Sequence, residues 1–513
     1  MGSMDVVEVI ESRYFVMIHD VWEHFDFEAI GQDTKIEEEM TLDLHKVPEP
    51  YSSSYFDRRM NAGRPHYPRI NKAYSCYRNV EGSYRTMEFL RDAYPRLVDV
   101  IDIGPSHLKS IGRGGREMKV LKLTNKDSNV SKAPLFVLCS IHPRELAPAE
   151  SCARFAEDIL EQYGTDADKT WILDHTEIHM VLQGNPDGRK DEEQKLHFRR
   201  KNMDISSTFR SCFCRKKDKG VDINRNFPHS KWGTTNEGGK CKPTYPGKSA
   251  GSEKETQAIV NYMKSVLPPG TNRVDRRTDK YMPDSKGVLL DIHSYGQALF
   301  WPYAYAKNAM APNDTDLMVF AKKMASHTSP QYTSDNEVYV TSGDTTDWAY
   351  ESIGVAAYTV EIGSRFHELC SNFENIELAN VLNILLYAAR VSHAPYQLPK
   401  GPDIVSFGMS SSVLSATDTL SIIAEVSHNE NVWGNKFQKT FIADVNIFID
   451  NHPFDDNAVP DVQVTNESRS MQKEVMIDVP MSGLSMGKHT IYVQIYDIQG
   501  AGPVYAKFIE IID

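Results

Sequence analysis

Four side chains that could bind a metal ion or transfer a proton come directly after apolar runs typical of buried strands. They are His142 and Glu145 after residues 133–141, His293 after residues 287–292, and Glu361 after residues 355–360. Open parallel sheets place their functional residues just past the carboxyl ends of their strands. We therefore expect these two histidines and two glutamates to converge at one edge of a sheet.

The pair His142 and Glu145 has a spacing that suits a metal ion. This His-x-x-Glu pattern occurs once among 17 histidines, and about one match is expected by chance, so alone it indicates only a surface ion pair. The distant His293 changes that interpretation, because two histidines and a carboxylate form the three-ligand set that leaves zinc an open position. Calcium and magnesium prefer shells of oxygen alone. We predict one zinc ion per chain, bound by His142, Glu145 and His293.

The segment that must position these residues alternates between strand-like and helix-like runs. Apolar residues recur at helical spacing from Ala149 to Leu160, after the first strand-like run. Ser252 and Glu255 have the spacing of a capping box, which predicts a helix that opens there and continues to Leu267. Such alternation over residues 67–396 indicates an α/β domain.

The last part of the chain has a different character. Residues 401–513 hold 15 acidic and 6 basic residues, and all seven cysteines precede them. Short alternating or β-branched runs, separated by Asn, Asp, Gly and Pro, predict an all-β sandwich whose final hairpin resembles that of immunoglobulin-like modules. Pro399, Gly401 and Pro402 mark the linker before it.

Charge and hydropathy exclude several classes of partner. The chain has 57 Lys and Arg against 70 Asp and Glu, a net charge of −13, so we expect no nucleic acid or anionic lipid partner. No apolar run approaches the roughly 18 residues that a membrane span needs. Residues 1–3 are interpreted as a leftover of cloning before a second start at Met4, and the residues after Met4 lack the basic flank and apolar stretch of a signal peptide.

Eight short motifs occur in order within residues 67–396. They are His142-Pro-Arg-Glu145, Asn185-Pro-Asp-Gly188, Arg200-Lys-Asn202, Gly220-Val-Asp-Ile-Asn-Arg-Asn-Phe227, Tyr245-Pro-Gly247, His293-Ser-Tyr295, Tyr339-Val-Thr-Ser-Gly-Asp-Thr-Thr-Asp-Trp348 and Thr359-Val-Glu361. Together they resemble the zinc metallocarboxypeptidases, in particular the pancreatic-type carboxypeptidase A and B subfamily. The resemblance implies that family's fold, a mixed eight-stranded sheet flanked by helices, here with a β-sandwich appended.

The motifs and the change in composition divide the chain into five predicted segments. They are residues 1–3, the cloning leftover; 4–66, an N-terminal lead-in or pro-segment; 67–396, the zinc carboxypeptidase catalytic domain; 397–404, a linker; and 405–513, the β-sandwich. The segment 4–66 is shorter than the family's usual globular pro-domain and lacks a clear activation site, so whether it inhibits the enzyme stays open.

The resemblance implies roles for residues around the metal. Glu361 matches the general base that takes a proton from water and returns it to the leaving amine. Arg200 matches the cation that stabilises the oxyanion. Asp222 matches an acid that hydrogen-bonds the zinc ligand His142 and holds its tautomer.

The resemblance also implies a grip on the free carboxylate at the end of a peptide. Asn224 and Arg225 match the pair that binds this carboxylate, and Tyr339 matches a mobile tyrosine that folds over substrate. Arg144 is expected to touch the residue upstream of the scissile bond. The implied activity is that of an exopeptidase, which acts on peptide or protein C-termini and releases single amino acids.

Specificity in the family depends on the loop that ends at Asp347. Here Thr346 carries no charge, whereas Asp344 offers a carboxylate at the edge of the pocket. The residues expected to form an apolar wall are Phe300, Ala304 and Val338. We expect a preference for apolar or aromatic C-terminal residues, with tolerance for Lys or Arg.

Cysteine positions and sequons favour a secreted, extracellular protein. Cys241 and either Cys214 or Cys212 resemble the paired cysteines of the secreted pancreatic-type enzymes. Sequons at Asn129, Asn313 and Asn466 are compatible with a secretory route.

Three other functions are compatible with the sequence. A zinc deacylase of small N-acyl amino acids, or a cell-wall peptide endopeptidase, would use the same ligands, but Asn224, Arg225 and Tyr339 count against both. An inactive binding homologue is disfavoured because the ligands, Glu361 and Arg200 are all present. For the β-sandwich the alternatives are a carbohydrate-binding or surface-binding module, a folding aid, or a transthyretin-like domain.

Overall fold

The structure is a computed structural model that describes residues 67–206, 214–267, 285–334, 340–427, 442–465 and 474–513. All of them belong to one compact unit that spans residues 45–513. Several predictions fall outside the described residues, namely those on the segment 4–66, Val338, Tyr339, Cys212 and the sequon at Asn466. Within these ranges no helix is long and apolar enough to cross a membrane.

An eight-stranded mixed sheet forms the centre of the α/β part. Its strands are β1 (Val98–Pro105), β2 (Glu117–Leu123), β3 (Ala133–Cys139), β4 (Thr176–Val181), β5 (Val288–His293), β6 (Ala298–Phe300), β7 (Thr333–Ser334) and β8 (Ala356–Glu361). Their spatial order is β1, β2, β4, β3, β5, β8, β6, β7, and the central four run parallel. The predicted mixed eight-stranded sheet is confirmed.

The central strands are the apolar runs that the sequence singles out. Every residue of β3 and of β5 is buried, as expected for parallel strands covered on both faces. His293 and Glu361 are the last residues of β5 and β8 rather than the first residues after them. After β3 the chain forms β4 on one side of β3 and then crosses to form β5 on the other side. The strand order therefore reverses between β3 and β5, and ligands bind at the carboxyl ends of strands at such a switch point.

Helices flank the sheet. They are α1 (Val80–Ala93), α2 (His107–Ser110), α3 (Ala147–Glu161), α4 (Ala167–His175), α5 (Pro186–Lys195), α6 (Lys254–Val266), α7 (Asp314–Ser326), α8 (Thr345–Ser352), α9 (Cys370–Asn372) and α10 (Leu378–Val391). The predicted helices are present, but the prediction that Ser252 and Glu255 form a capping box at the start of α6 is wrong. The Ser252 hydroxyl donates to Glu253 Oε1 at 2.5 Å, and the Glu255 carboxylate accepts from the backbone N–H of His107 at 2.8 Å.

The C-terminal residues form two further sheets that face each other. Their strands are β9 (Asp403–Met409), β10 (Val413–Ser415), β11 (Thr419–Ser427), β12 (Ile442–Ile449), β13 (Val462–Thr465), β14 (Glu474–Pro480), β15 (Gly487–Asp497), β16 (Gly500–Ala501) and β17 (Tyr505–Ile512). One sheet contains β14, β11 and β9; the other contains the remaining strands. Inward apolar residues of both sheets form one core, so the predicted β-sandwich is present.

The β-sandwich packs directly on the α/β part. Its residues Phe448, Tyr492, Val504 and Ala506 belong to the same apolar core as the central sheet. Arg390 of α10 donates from both terminal nitrogens to the Asp168 carboxylate, at 2.9 Å each, and Asp168 also accepts from the backbone N–H of Ala506 at 2.8 Å. A continuous core and the Arg390–Asp168 ion pair therefore join the two parts.

Three disulfides connect described residues. Cys214 pairs with Cys241, which is the first of the two alternatives that the sequence leaves open. The other two disulfides, Cys76–Cys370 and Cys139–Cys152, are not indicated by the sequence pattern. The first of these joins residues 294 positions apart.

Candidate metal centre and active site

The three predicted metal ligands lie together at the switch point of the sheet. His142 and Glu145 follow β3, and His293 ends β5. His142 Nδ1 lies 2.8 Å from Glu145 Oε1 and 3.1 Å from His293 Nδ1, which lies 3.0 Å from Glu145 Oε2. All three residues are buried, and their ligand atoms lie within 4.8 Å of one another. Two imidazole nitrogens and a carboxylate that face one point fit a zinc ion.

Asp222 links the first histidine to the arginine beside it. Its Oδ1 lies 3.1 Å from His142 Nε2, and its Oδ2 accepts from Arg200 Nε at 2.7 Å. Burial raises the pKa of the Asp222 carboxyl, but Arg200 and His142 outweigh burial and hold that pKa well below its usual range. The carboxylate is therefore charged, and it holds the His142 ring and the Arg200 side chain next to each other.

Arg144 lies near Arg200 with its guanidinium stacked on an aromatic ring. Its Cζ is 3.8 Å from the centre of the Phe366 ring, and its backbone N–H donates to Arg199 O at 2.8 Å. Burial and the neighbouring Arg200 lower the pKa of Arg144. Arg199 and Lys201, which form a basic run with Arg200, are buried rather than solvated.

Glu361 reaches the same crevice from the end of β8. It pairs in register with His293 on β5. Its Oε2 is buried and has no hydrogen-bond partner among the described residues. Burial, helped by the nearby Glu145 and Asp291 and opposed by His293 and Arg200, raises the pKa of Glu361 to about 7. A carboxylate in this setting can both accept and return a proton near neutral pH.

Asn224 and Arg225 line the same cavity but have structural partners of their own. Asn224 Oδ1 accepts from the backbone N–H and from the hydroxyl of Thr345, each at 2.9 Å. Asn224 Nδ2 lies 3.0 Å from His293 Nε2. Arg225 Nε donates to Glu237 Oε2 at 3.0 Å, so a buried ion pair holds its guanidinium.

A cavity of about 400 Å³ connects these residues. Thr346, Asp344, Phe300 and Ala304 line it, as the sequence predicts for the specificity pocket. The Thr346 hydroxyl bonds the Thr359 hydroxyl at 2.7 Å, so its polar atom is already satisfied.

Asp344 is the N-cap of α8. Its Oδ1 accepts from Asp347 N at 2.8 Å, and its buried Oδ2 has no hydrogen-bond partner in the described part of the chain. Burial raises the pKa of Asp344. Gly343, directly before it, has a φ of 78°, and a Cβ there would collide with the Arg225 carbonyl, so the approach of this loop requires glycine.

Two residues at the site are missed by the sequence analysis. Asp291 is fully buried, and its Oδ2 lies 3.0 Å from His293 Nε2. A usable signal exists for it, because residues two apart on a strand share one face of the sheet. Glu237, which pairs with Arg225 and also accepts from Ser342 N at 2.8 Å, lies in an irregular loop that carries no such signal.

The chain matches the model of one known protein family. That family is the zinc carboxypeptidases, and the match covers residues 83–377, which is more than half of the chain. The chain therefore belongs to the zinc carboxypeptidase family, and the resemblance predicted from the motifs is confirmed. The matched range contains the three candidate ligands, Arg200 and Glu361.

Curated relatives agree with this membership. Carboxypeptidase A1 of Bos taurus is 30% identical over 296 residues, which cover 56% of this chain and 63% of the relative. Carboxypeptidase A1 of Sus scrofa is 31% identical over 283 residues, 54% of this chain and 60% of the relative. Carboxypeptidase B2 of Bos taurus is 25% identical over 305 residues, 58% and 65% respectively. Each match spans less than two thirds of the relative's length.

Solved structures share the fold. The crystal structure of thrombin activatable fibrinolysis inhibitor superposes with a TM-score of 0.53 at 22% identity, covering 66% of this chain and 79% of that one. Carboxypeptidase A from Helicoverpa armigera gives a TM-score of 0.52 at 22% identity, covering 66% and 78%.

Proposed function

We propose that this protein is a zinc-dependent exopeptidase that hydrolyses the last peptide bond of a chain and releases single C-terminal amino acids. The observation that carries the proposal is the buried group His142, Glu145 and His293, which shares one cavity with Glu361 and Arg200. The relatives named above are carboxypeptidases, which supports the same activity.

The residues around the ligands are proposed to have separate roles in peptide-bond hydrolysis. A zinc ion held by the ligands would polarise the scissile carbonyl and acidify water. Glu361 accepts the proton of the attacking water and returns it to the leaving amine, for which its unbonded Oε2 is suited. Arg200, fixed through Asp222, stabilises the negative charge that develops on the carbonyl oxygen.

Recognition of a free C-terminus is proposed for four residues around the ligands: Asn224, Arg225, Arg144 and Tyr339. Arg225 and Asn224 bind the terminal carboxylate, because a guanidinium and an amide side by side offer it several donors. Arg144 contacts the residue upstream of the scissile bond. Tyr339 is proposed to fold over the bound substrate.

The pocket supports a preference for apolar or aromatic C-terminal residues with tolerance for Lys and Arg. Phe300 and Ala304 supply apolar surface, and the hydroxyl of the uncharged Thr346 is already bonded to Thr359. Asp344 also lines the cavity, and its Oδ2, which has no hydrogen-bond partner among the described residues, is proposed to meet a cationic side chain. Kinetics on matched peptides ending in Phe, Leu, Arg and Glu test this proposal, and a strict preference for Glu would refute it.

The activity is tested by hydrolysis of an unblocked peptide with and without a chelator, on wild type and Glu361→Gln. We expect the wild type to release free amino acid and to lose this activity with the chelator. Because Glu361 is not a ligand, Glu361→Gln should retain its zinc and lose at least about 10³-fold in kcat/KM. Glu374→Gln, which removes a carboxylate outside the cavity, is the matched control and should keep full activity.

The same assay distinguishes the competing functions. An exopeptidase requires the free carboxylate, so a C-terminally amidated peptide should be inert. Cleavage of the amidated peptide would indicate an endopeptidase, hydrolysis of N-acyl amino acids alone would indicate a deacylase, and zinc binding without any hydrolysis would indicate a binding homologue.

We further propose an extracellular location and the division of the chain at residues 397–404. Three disulfides support the location, because such bonds persist in oxidising compartments. The end of α10 at Val391 and the start of β9 at Asp403 support the division. We also propose a carbohydrate or surface partner for the β-sandwich, which glycan-array binding of the whole protein would test.

A further inference from the structure

Asp291 is a buried acid with one close polar neighbour. It lies two residues before His293 on β5, so both side chains project from the same face of the sheet. Its side chain is fully buried, and its Oδ2 lies 3.0 Å from His293 Nε2. Neither carboxylate oxygen has a fully formed hydrogen bond among the described residues, so the approach to His293 Nε2 is the one close charged contact found for this acid in that part of the chain. A buried carboxylate with a single polar contact calls for an explanation.

The two ring nitrogens of His293 have different tasks. Nδ1 faces the shared ligand point, 3.0 Å from Glu145 Oε2 and 3.1 Å from His142 Nδ1. A neutral imidazole that binds a cation through Nδ1 carries its proton on Nε2. That Nε2–H group is buried, so it requires an acceptor.

Two side chains lie near Nε2, and only one of them can accept. Asn224 Nδ2 is 3.0 Å away, and the orientation of this amide is fixed because Asn224 Oδ1 accepts from Thr345 N and Thr345 Oγ1. An NH₂ group is a donor only. The carboxylate of Asp291, also 3.0 Å away, is the remaining acceptor.

We propose that Asp291 is a positioning residue for the metal centre, which accepts the Nε2–H of His293 and directs Nδ1 toward the ion. The proposal rests on the metal centre of the proposed function. With Asp291 in this role, both ligand histidines direct Nδ1 to the ligand point and Nε2 to a buried acid. For His142 that acid is Asp222. Such outer carboxylates fix the ring and strengthen the ligand.

Asp222 and Asp291 differ in the number of other polar groups that they contact. Asp222 also accepts from Arg200 Nε and from Asn224 N, so its removal disturbs three groups at once. Asp291 contacts His293 alone among the described polar groups. Loss of Asp291 should therefore weaken zinc binding while leaving Arg200 and Asn224 in place.

The test is zinc affinity by competition with a chromogenic chelator, on Asp291→Asn, Asp222→Asn and Glu157→Gln. We expect zinc to bind about 10-fold to 100-fold more weakly to Asp291→Asn and to Asp222→Asn than to wild type. Glu157→Gln is the matched control, because it replaces a buried carboxylate that pairs with Arg78 away from the ligands, and it should bind zinc as tightly as wild type. The visible spectrum of the cobalt-loaded Asp291→Asn variant should also shift, whereas a purely structural role would leave it unchanged.

A second measurement on the wild type covers the case in which Asp291→Asn does not fold. In histidine-labelled, zinc-loaded protein, NMR should detect two slowly exchanging ring N–H protons at low field, one from each ligand histidine. One such proton only, or a folded Asp291→Asn with wild-type zinc affinity and cobalt spectrum, would overturn the proposal. Neither readout needs peptide hydrolysis, so either result leaves the exopeptidase activity standing, whereas a wild type that binds no zinc refutes both.

Discussion

Among the described residues, buried histidines group together at the sheet edge and beneath the β-sandwich. At the sheet edge His142 and His293 each have a carboxylate near both ring nitrogens. Where the β-sandwich packs on the α/β part, His175, His393 and His452 lie among aromatic rings. The rings of His175 and His452 are 4.1 Å apart, and His393 stacks on Phe454 at 4.5 Å.

The surroundings give the two groups opposite electrostatic behaviour. Burial lowers the pKa of His293, but Asp291 and Glu145 outweigh burial and raise it well above its usual value. At the sandwich interface burial dominates, which lowers the pKa of His393 to about 4 and that of His452 well below its usual value. Carboxylates thus favour the protonated form of His293, whereas burial favours the neutral form of His393 and His452.

The largest expected difference between the groups concerns activity. His293→Ala removes a ligand, so we expect loss of zinc and a fall in kcat/KM of about 10⁴-fold or more. His452→Ala removes a ring that touches Trp171 and His175, so its zinc content and the kcat/KM of the folded protein should stay within about threefold of wild type. Metal analysis and kinetics on both variants measure this, and a large loss of kcat/KM in folded His452→Ala would break the comparison.

Stability should depend strongly on the Arg390–Asp168 ion pair, where the β-sandwich packs on the α/β part. Arg390→Ala removes a buried guanidinium and leaves the half-buried Asp168 without its charged partner, which should lower the free energy of unfolding by about 2–3 kcal/mol. Arg96→Ala breaks an exposed Arg–Asp pair and should cost about 1 kcal/mol or less. Denaturant unfolding of both variants checks the difference, and equal effects would show that the interface contributes little.

The pH dependence of unfolding sharpens the comparison further. His393 is neutral in the folded protein down to about pH 4, whereas the unfolded chain binds this proton below about pH 6.5. This group therefore takes nothing from stability above about pH 6.5, and the stability lost through it grows as the pH falls, to about 3 kcal/mol near pH 4. His393→Gln has no such proton to bind.

Thermal unfolding between pH 7 and pH 4 should show a shallower loss of stability for His393→Gln than for wild type. His175, Asp455 and Lys286 also act on this group and are the same in both proteins, so they do not account for a difference. Parallel curves for the two proteins would contradict the low pKa of His393.

Short-range patterns in the sequence predict much of the fold and of the site. The ligands can be found because each follows an apolar strand, and strands β3, β5 and β8 are recognisable by composition. The motifs bring in Arg200, Asp222, Asn224 and Arg225, all of which the structure places beside the ligands or in the cavity. The capping box at Ser252 fails, because the carboxylate of Glu255 is taken by a distant backbone N–H on α2.

The sequence by itself determines which side chains can do chemistry, since residue type and local spacing are written in it. Tertiary structure alone decides the pairings that no motif indicates: Glu237 pairs with Arg225 across 12 positions, and Cys76 pairs with Cys370 across 294. It also selects Cys214 as the partner of Cys241 and buries a histidine cluster under the β-sandwich. The physical reason is that such pairings depend on the order of strands in the sheet and on the packing of one part on another, and neither leaves a periodic trace in the chain.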